Sequence, residues 1–218
     1  DTLRGINLNI KEGEKVAILG RNGSGKSTLM KLASGLFKAS DGLVMYDGVD
    51  IKQLHTDDLS GSVGIVLQDV QLFSGTVREN ITMGREEISQ DDLVHAGKLS
   101  GLDEFISKIP GGYDLQLSDG GKGLSGGQRQ AIALARAIVH KPSHYILDEP
   151  TSAMDMNAEN LFINQVRSIL KESTMLIVTH RMPLLNLVDR IIVMNEGQIA
   201  DDGPKEEIIQ KLNQPRQS

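Results

Sequence analysis

The stretch Gly20-Arg21-Asn22-Gly23-Ser24-Gly25-Lys26-Ser27 constrains this chain more than any other. It matches G-x-x-x-x-G-K-[ST], where glycines let backbone N–H groups turn inward around phosphate oxygens and side chains would collide. The flanks agree. Residues 15–19 (KVAIL) read as a short buried strand, and residues 26–34 carry helical periodicity that stops at Gly35. Strand, glycine loop and helix N-terminus together form the arrangement that holds a phosphate. In a chain of this length the four fixed positions recur by chance roughly one time in a hundred, and the flanks lower that further. The loop assigns Gly20, Arg21, Asn22, Gly23, Ser24, Gly25, Lys26, Ser27 and Thr28 to a nucleotide. Lys26 is expected to reach the β- and γ-phosphates, and the Ser27 hydroxyl to ligate Mg²⁺.

The rest of the chain reads as an α/β protein. Strands are expected over 3–10, 15–19, 42–47 and 62–68, the last being SVGIVLQ. From 76 to 140 the character turns helical, with candidates over 76–81, 90–99, 103–109 and 126–139 separated by glycines and Pro110. Alternation then resumes: strand 145–147, helix 158–171, strand 175–178, a hairpin of 190–195 with 198–200 over Glu196-Gly197, and a terminal helix over 204–212. A helical run of about 65 residues is too large for an ordinary loop. The expected organisation is therefore one domain, with a core of about 1–75 and 141–218 and a helical subdomain of about 76–140. An antiparallel β portion is expected near the N-terminus.

Composition excludes several classes. Hydrophobic residues make up 39% and charged residues 24%, a globular balance. The net charge of −6 argues against nucleic acid held by bulk charge. No cysteine means no disulfide, no thiol nucleophile and no cysteine-based metal site. No apolar run approaches the roughly 18 residues of a membrane span. The chain starts at Asp1 without a leader, as a piece cut from a longer protein would.

A second anion site lies ahead of the longest helix of the insert. Leu124-Ser125-Gly126-Gly127-Gln128 offers a hydroxyl and two glycines at a helix N-terminus, after the glycine-rich approach Asp119-Gly120-Gly121-Lys122-Gly123. As a bare pattern this is equally a serine-capped helix start. The five residues match the signature motif of ATP-binding cassette (ABC) proteins without departure, and the chain resembles that family over nearly its whole length. The resemblance implies a P-loop ABC-ATPase fold that binds and hydrolyses ATP with Mg²⁺. It makes Tyr145-Ile146-Leu147-Asp148-Glu149 the Walker B strand, with Asp148 holding Mg²⁺ through water and Glu149 polarising the attacking water. Gln68 resembles the Q-loop glutamine, a further metal contact. Ser152-Ala153-Met154-Asp155 resembles the D-loop, with Asp155 near nucleotide, and His180 the switch histidine. His55, His95, His140 and His144 are expected to be structural, and the eight methionines core filler.

Two cassettes are expected to pack head to tail as a homodimer. Lys26, Ser27, Gln68, Asp148, Glu149 and His180 would act from one subunit, and Ser125, Gly126, Gly127 and Gln128 from the other. One family element is missing: the aromatic that stacks on adenine lies before the phosphate loop, and here the first aromatic is Phe37. Gln68 to Phe73 with Gly75 to Ile81 resembles the exporter version of the Q-loop region, with Asp119 where exporters usually carry glutamate. Segments 119–123, 150–155 and 200–205 are similar to type I secretion ATPases. That resemblance implies a transmembrane domain as partner, placed upstream in the same chain, together with a membrane-fusion adaptor and an outer-membrane channel, and no nucleic acid. It puts the cassette on the cytoplasmic face of a bacterial inner membrane. Peptide, bacteriocin and lipid exporters, importer subunits and non-transport ABC ATPases share much of this pattern.

Overall fold

The computed structural model describes residues 2–152 and 154–214. The strands are β1 (Lys15–Gly20), β2 (Met45–Tyr46), β3 (Val49–Asp50), β4 (Val63–Val66), β5 (Gly75–Thr76), β6 (Gln116–Leu117), β7 (His144–Asp148), β8 (Thr174–Val178), β9 (Arg190–Asn195) and β10 (Gln198–Pro204). The helices are α1 (Lys26–Ala33), α2 (Thr56–Ser62), α3 (Val77–Thr82), α4 (Gln90–Ser100), α5 (Asp103–Ile106), α6 (Gly126–Ile138), α7 (Met156–Ile169) and α8 (Lys205–Asn213).

Six strands form one sheet in the order β10-β9-β1-β8-β7-β4, parallel except for β10, which returns antiparallel to β9. The two faces follow the period-two alternation of the strands. Val16, Ile18, Ile146, Leu176 and Val178 face one apolar cluster with Met30 of α1, while Ala17, Leu147, Met175 and Ile177 face the other. The second cluster runs without interruption from the sheet through α6 and α7 to Leu93 of α4 and Ile106 of α5. Phe162 of α7 is among its largest fully buried side chains.

Helix α6 starts with a capping box: Ser125 Oγ accepts from the Gln128 N–H at 3.2 Å, and Gln128 Oε1 accepts from the Ser125 N–H at 2.9 Å. Its alanines allow close approach to β4. The tightest point is Gly64, where a Cβ would lie 2.4 Å from the carbonyl oxygen of Ala137.

Several elements differ from the sequence expectation. Residues 3–10 form no strand: Ile6, Leu8 and Ile10 are half-buried on a cluster, but the chain bends at Gly5 and joins no ladder among the described residues. The segment is held instead by the Arg4 N–H on the Gly197 carbonyl at 2.9 Å and by Arg190 on the Asn9 carbonyl at 2.9 Å. Alternation reports a buried face, not a ladder partner. The strand expected over 42–47 shrinks to β2, whose antiparallel pairing with β3 is the β portion of this half. Helix α5 stops at Ile106, three residues before the expected end.

Strand β10 runs four residues further than 198–200. Its acidic continuation is held by Arg190, which grips Asp202 at 2.6 Å through both Nε and Nη2, and by Lys211 on Asp201 at 2.9 Å. Helix α2 has too few apolar residues to show periodicity, so no local pattern marks it in the sequence.

Gly64→Ala tests the seat of α6. A glycine-to-alanine change in a strand ordinarily favours folding, but here the added methyl meets backbone. A loss of about 1–3 kcal/mol is expected, read as a lower denaturant midpoint at unchanged slope.

Candidate functional site

Parallel topology brings four chain segments to one edge, because strands running the same way end together. The phosphate loop leaves β1, Gln68 follows β4, Asp148 ends β7 with Glu149 after it, and His180 follows β8. They line a cleft of about 520 Å³ with Asn22, Gly23, Gly25, Lys26, Ser27 and Thr28, and with Thr2, Ser152 and Val178. The ends of β1 and β8, far apart in sequence, thus become neighbours through strand register.

The loop is shaped by two glycines with no room for a side chain. At Gly20 (φ 154°) a Cβ would fall 2.4 Å from the Met194 carbonyl oxygen on the neighbouring strand. At Gly25 (φ 101°) it would fall 2.6 Å from Leu3. Gly25 caps α1 without a side chain, and the first turn of α1 carries no acidic residue. Its N–H groups and positive dipole end therefore point toward the cleft uncompensated. Buried Lys26 donates to the carbonyls of Gly20 and Arg21 at 2.8 and 3.0 Å, placing its charge across the mouth of the loop.

The acidic pair carries the opposite charge under strain. Glu149 adopts φ 47°, a left-handed conformation unusual for this residue, and its N–H extends the ladder by donating to the Val178 carbonyl at 2.9 Å. His180 Nε2 lies 3.3 Å from Glu149 Oε1, within ion-pair reach but without hydrogen-bond geometry. Burial raises the Glu149 carboxyl above its ordinary 4.5, against the pull of His180 and Lys26. Burial likewise raises Asp148, opposed by the Ser27 hydroxyl and Lys26.

Among the described residues, four buried side-chain polar atoms lack a hydrogen-bond partner, and two of them, Asp148 Oδ1 and Glu149 Oε1, belong to residues that line this cleft. Unsatisfied polar atoms cost stability, so their concentration in one cleft marks it as built for a polar ligand. A hard divalent cation prefers oxygen donors and keeps part of its shell for water or phosphate. The Ser27 hydroxyl, the Gln68 amide oxygen and the free Oδ1 of Asp148 fit that requirement.

The expected residues do not all meet. Ser125, Gly126, Gly127 and Gln128 lie outside the cleft, with Ser125 exposed at the tip of α6. Asp155 is also outside it, where its carboxylate caps α7 by accepting from the Ala158 N–H at 2.9 Å. Arg21 is exposed, and Ala153 lies outside the described residues. His140 lies 3.5 Å from Arg85 and His144 packs against the Tyr46 ring at 5.2 Å, and neither lines the cleft. Thr2 and Val178 carried no signal in the sequence, since nothing local marks a residue that reaches a cleft through the fold.

A family profile described as ABC transporter matches residues 3–152, which spans the phosphate loop, the Ser125 motif and the acidic pair. The chain belongs to the ABC transporter family. Among curated relatives it is 43% identical over 209 residues to the cyclolysin secretion/processing ATP-binding protein CyaB of Bordetella pertussis, covering 96% of this chain and 29% of that one. It is 42% identical to the toxin RTX-I translocation ATP-binding protein of Actinobacillus pleuropneumoniae (97% and 30% covered). To the leukotoxin translocation ATP-binding protein LktB of Mannheimia glucosida it is 40% identical, with the same coverage. The chain thus spans about three tenths of the length of these relatives. A bacterial Atm1-family ABC exporter solved with ATP bound superposes with a TM-score of 0.88 at 32% identity, over 97% of this chain and 37% of that one. Among the described residues, no helix is long and apolar enough to cross a membrane.

Glu149 gives a test independent of turnover. Because the folded-state pKa of Glu149 is raised, its ionised form favours the unfolded chain, and the cost is present above the folded pKa. Glu149→Gln is expected to raise the melting temperature at about pH 8 by a few degrees, at about 2–4 °C per kcal/mol for this size. The gain should vanish as pH falls below about 4, where both states are protonated. A gain independent of pH would contradict the desolvation of Glu149.

Proposed function

We propose that the chain is the ATP-binding and ATP-hydrolysing motor of an ABC exporter, and that the exporter secretes protein in the manner of type I secretion. One observation carries the reading. Residues of the phosphate loop from Asn22 to Thr28, Gln68, Asp148, Glu149 and His180 converge at the carboxyl ends of adjacent parallel strands in a single cleft that holds unsatisfied carboxylate oxygens of both acids.

The loop amides and Lys26 bind the phosphates of ATP and neutralise their charge. Ser27, Gln68 and Asp148 would hold Mg²⁺, which supplies charge neutralisation at the transferring phosphoryl group. Glu149, whose raised pKa brings it nearer to a useful base, accepts a proton from water; His180 beside it would contact the γ-phosphate.

Ser125, Gly126 and Gly127 stand clear of their own cleft, so they complete the site of a second copy, head to tail. Asp155 belongs to the same interface. The helical segment of about 76–140 forms the subdomain that carries them. The identity of about 40% to secretion and translocation ATP-binding proteins supports the secretion class. A transmembrane domain as partner, a membrane-fusion adaptor with an outer-membrane channel, and a place on the cytoplasmic face of the membrane go with it.

The deciding experiment is the solution mass of the Glu149→Gln chain with and without MgATP. A monomer that becomes a dimer only with nucleotide is expected. A chain that binds ATP and stays monomeric would count against the shared site. Glu149→Gln should keep ATP affinity and lose turnover by about 10²-fold or more. Lys26→Ala should weaken binding itself by about ten-fold or more. In wild type the rate should fall with decreasing pH at a midpoint above 4.5, because the base must be ionised and burial raises its pKa. A profile flat down to that value would remove Glu149 from the role.

A further inference from the structure

The loop between Gln68 and β5 contains three consecutive residues whose backbone is fastened to α3, to the approach to Ser125 and to helix α6, which Ser125 caps. The Gln71 carbonyl accepts from Arg136 Nη1 at 3.1 Å. The Leu72 carbonyl accepts from the Gly120 N–H at 2.9 Å, and its side chain is buried where a Cβ on Gly121 would touch it at 2.8 Å. Phe73 is held at both ends: its N–H donates to Asn80 Oδ1 at 3.1 Å, and its carbonyl accepts from Asn80 Nδ2 at 3.0 Å.

Asn80 is fully buried and uses its whole hydrogen-bonding capacity. Its Nδ2 also donates to the Thr76 carbonyl at 3.0 Å, and its Oδ1 also accepts from Arg136 Nη2 at 3.2 Å. Arg136 completes the joint from α6, with Nε donating to the Asn80 carbonyl at 2.7 Å and its guanidinium 6.0 Å from the centre of the Phe73 ring. No ion pair among the described residues involves Arg136. Its planar fork is spent on carbonyl and amide oxygens of the loop and of α3, a geometry an ammonium cannot reproduce.

Chains of fully satisfied polar groups are stiff. Gln68 lies three residues before the first anchored carbonyl, and Ser125 begins the helix on which Arg136 sits. We infer that Arg136 and Asn80 are positioning residues for ATP hydrolysis: they lock the loop bearing Gln68 to helix α6, so that Gln68 and Ser125 move as one body. This rests on the motor reading, which makes Gln68 a ligand of one nucleotide and Ser125 a contact to the other. Neither Arg136 nor Asn80 touches the cleft, so their effect is on the placement of groups that do.

The test is a double-mutant cycle on ATP turnover with Arg136→Met, Gln68→Ala and the combination, accompanied by ATP affinity and melting temperature. Arg136→Met should leave ATP affinity within about two-fold and lower kcat by about ten-fold or more, since small misplacements near the chemistry have effects of that size. Combined with Gln68→Ala it should add almost nothing, because both act through the same group. Arg136→Lys should not restore the rate. Independent, multiplying effects would make Arg136 a structural residue only and overturn the proposal, as would a rate within about two-fold of wild type.

Should Arg136→Met fail to fold, hydrogen exchange on the unaltered chain decides the matter. On adding ATP, the amides of Phe73, Gly120 and residues 125–129 are expected to gain protection together with the phosphate loop. Protection confined to residues 20–28 would overturn the joint. No turnover in wild type would bring down the motor reading itself, whereas normal turnover indifferent to Arg136 defeats only this inference.

Discussion

The constraint on which the molecule depends is the contact between β1 and β9 at Gly20. The register pairs Gly20 with Met194, and the carbonyl of Met194 occupies the volume a side chain at position 20 would need. Only a residue without a Cβ lets the strand close there and turn into the phosphate loop. From that turn follow the direction of α1, the alignment of its amides on the cleft and the return of Lys26 across the loop. The rest of the parallel sheet serves to deliver Gln68, the acidic pair and His180 to the same edge.

Stability and chemistry pull against each other at this edge. The sheet and its two apolar clusters are closely packed, yet the cleft holds two carboxylate oxygens without a hydrogen bond, two carboxyls with raised pKa and a glutamate in a left-handed conformation. Such costs persist only where the surrounding structure over-determines them. Buried strands on both sides of β7 supply that support, and Glu149 itself remains hydrogen-bonded to β8 through its backbone.

The helical segment is attached by polar rather than only apolar means. Helix α6 is seated on β4 at Gly64, and its Arg136 ties the loop after β4 to α3. Packing alone would hold these elements near one another. The carbonyl-directed hydrogen bonds fix their relative orientation, which matters because the exposed Ser125 end of α6 lies outside its own cleft.

Much of this was legible in the residues. The loop 20–27, the pentapeptide 124–128 and the acidic end of β7 are local patterns, because backbone amides, capping hydroxyls and strand-end carboxylates act through near neighbours in sequence. The long helices and buried strands showed for the same reason, their periodicity being a property of one segment at a time. Pairing is not local. Residues 3–10 alternate as a strand does, yet find no ladder. The acidic end of β10 looks like a loop, yet pairs fully, because Arg190 and Lys211 neutralise it from elsewhere. The joint of Asn80 and Arg136 joins positions 56 apart, and Thr2 reaches the cleft only because the chain crosses Gly197. The sequence by itself determined which chemistry the chain carries, through motifs whose geometry is set by adjacent backbone. Only the tertiary structure decided which residues share a site, since that is fixed by strand register and by contacts between segments that no local pattern encodes.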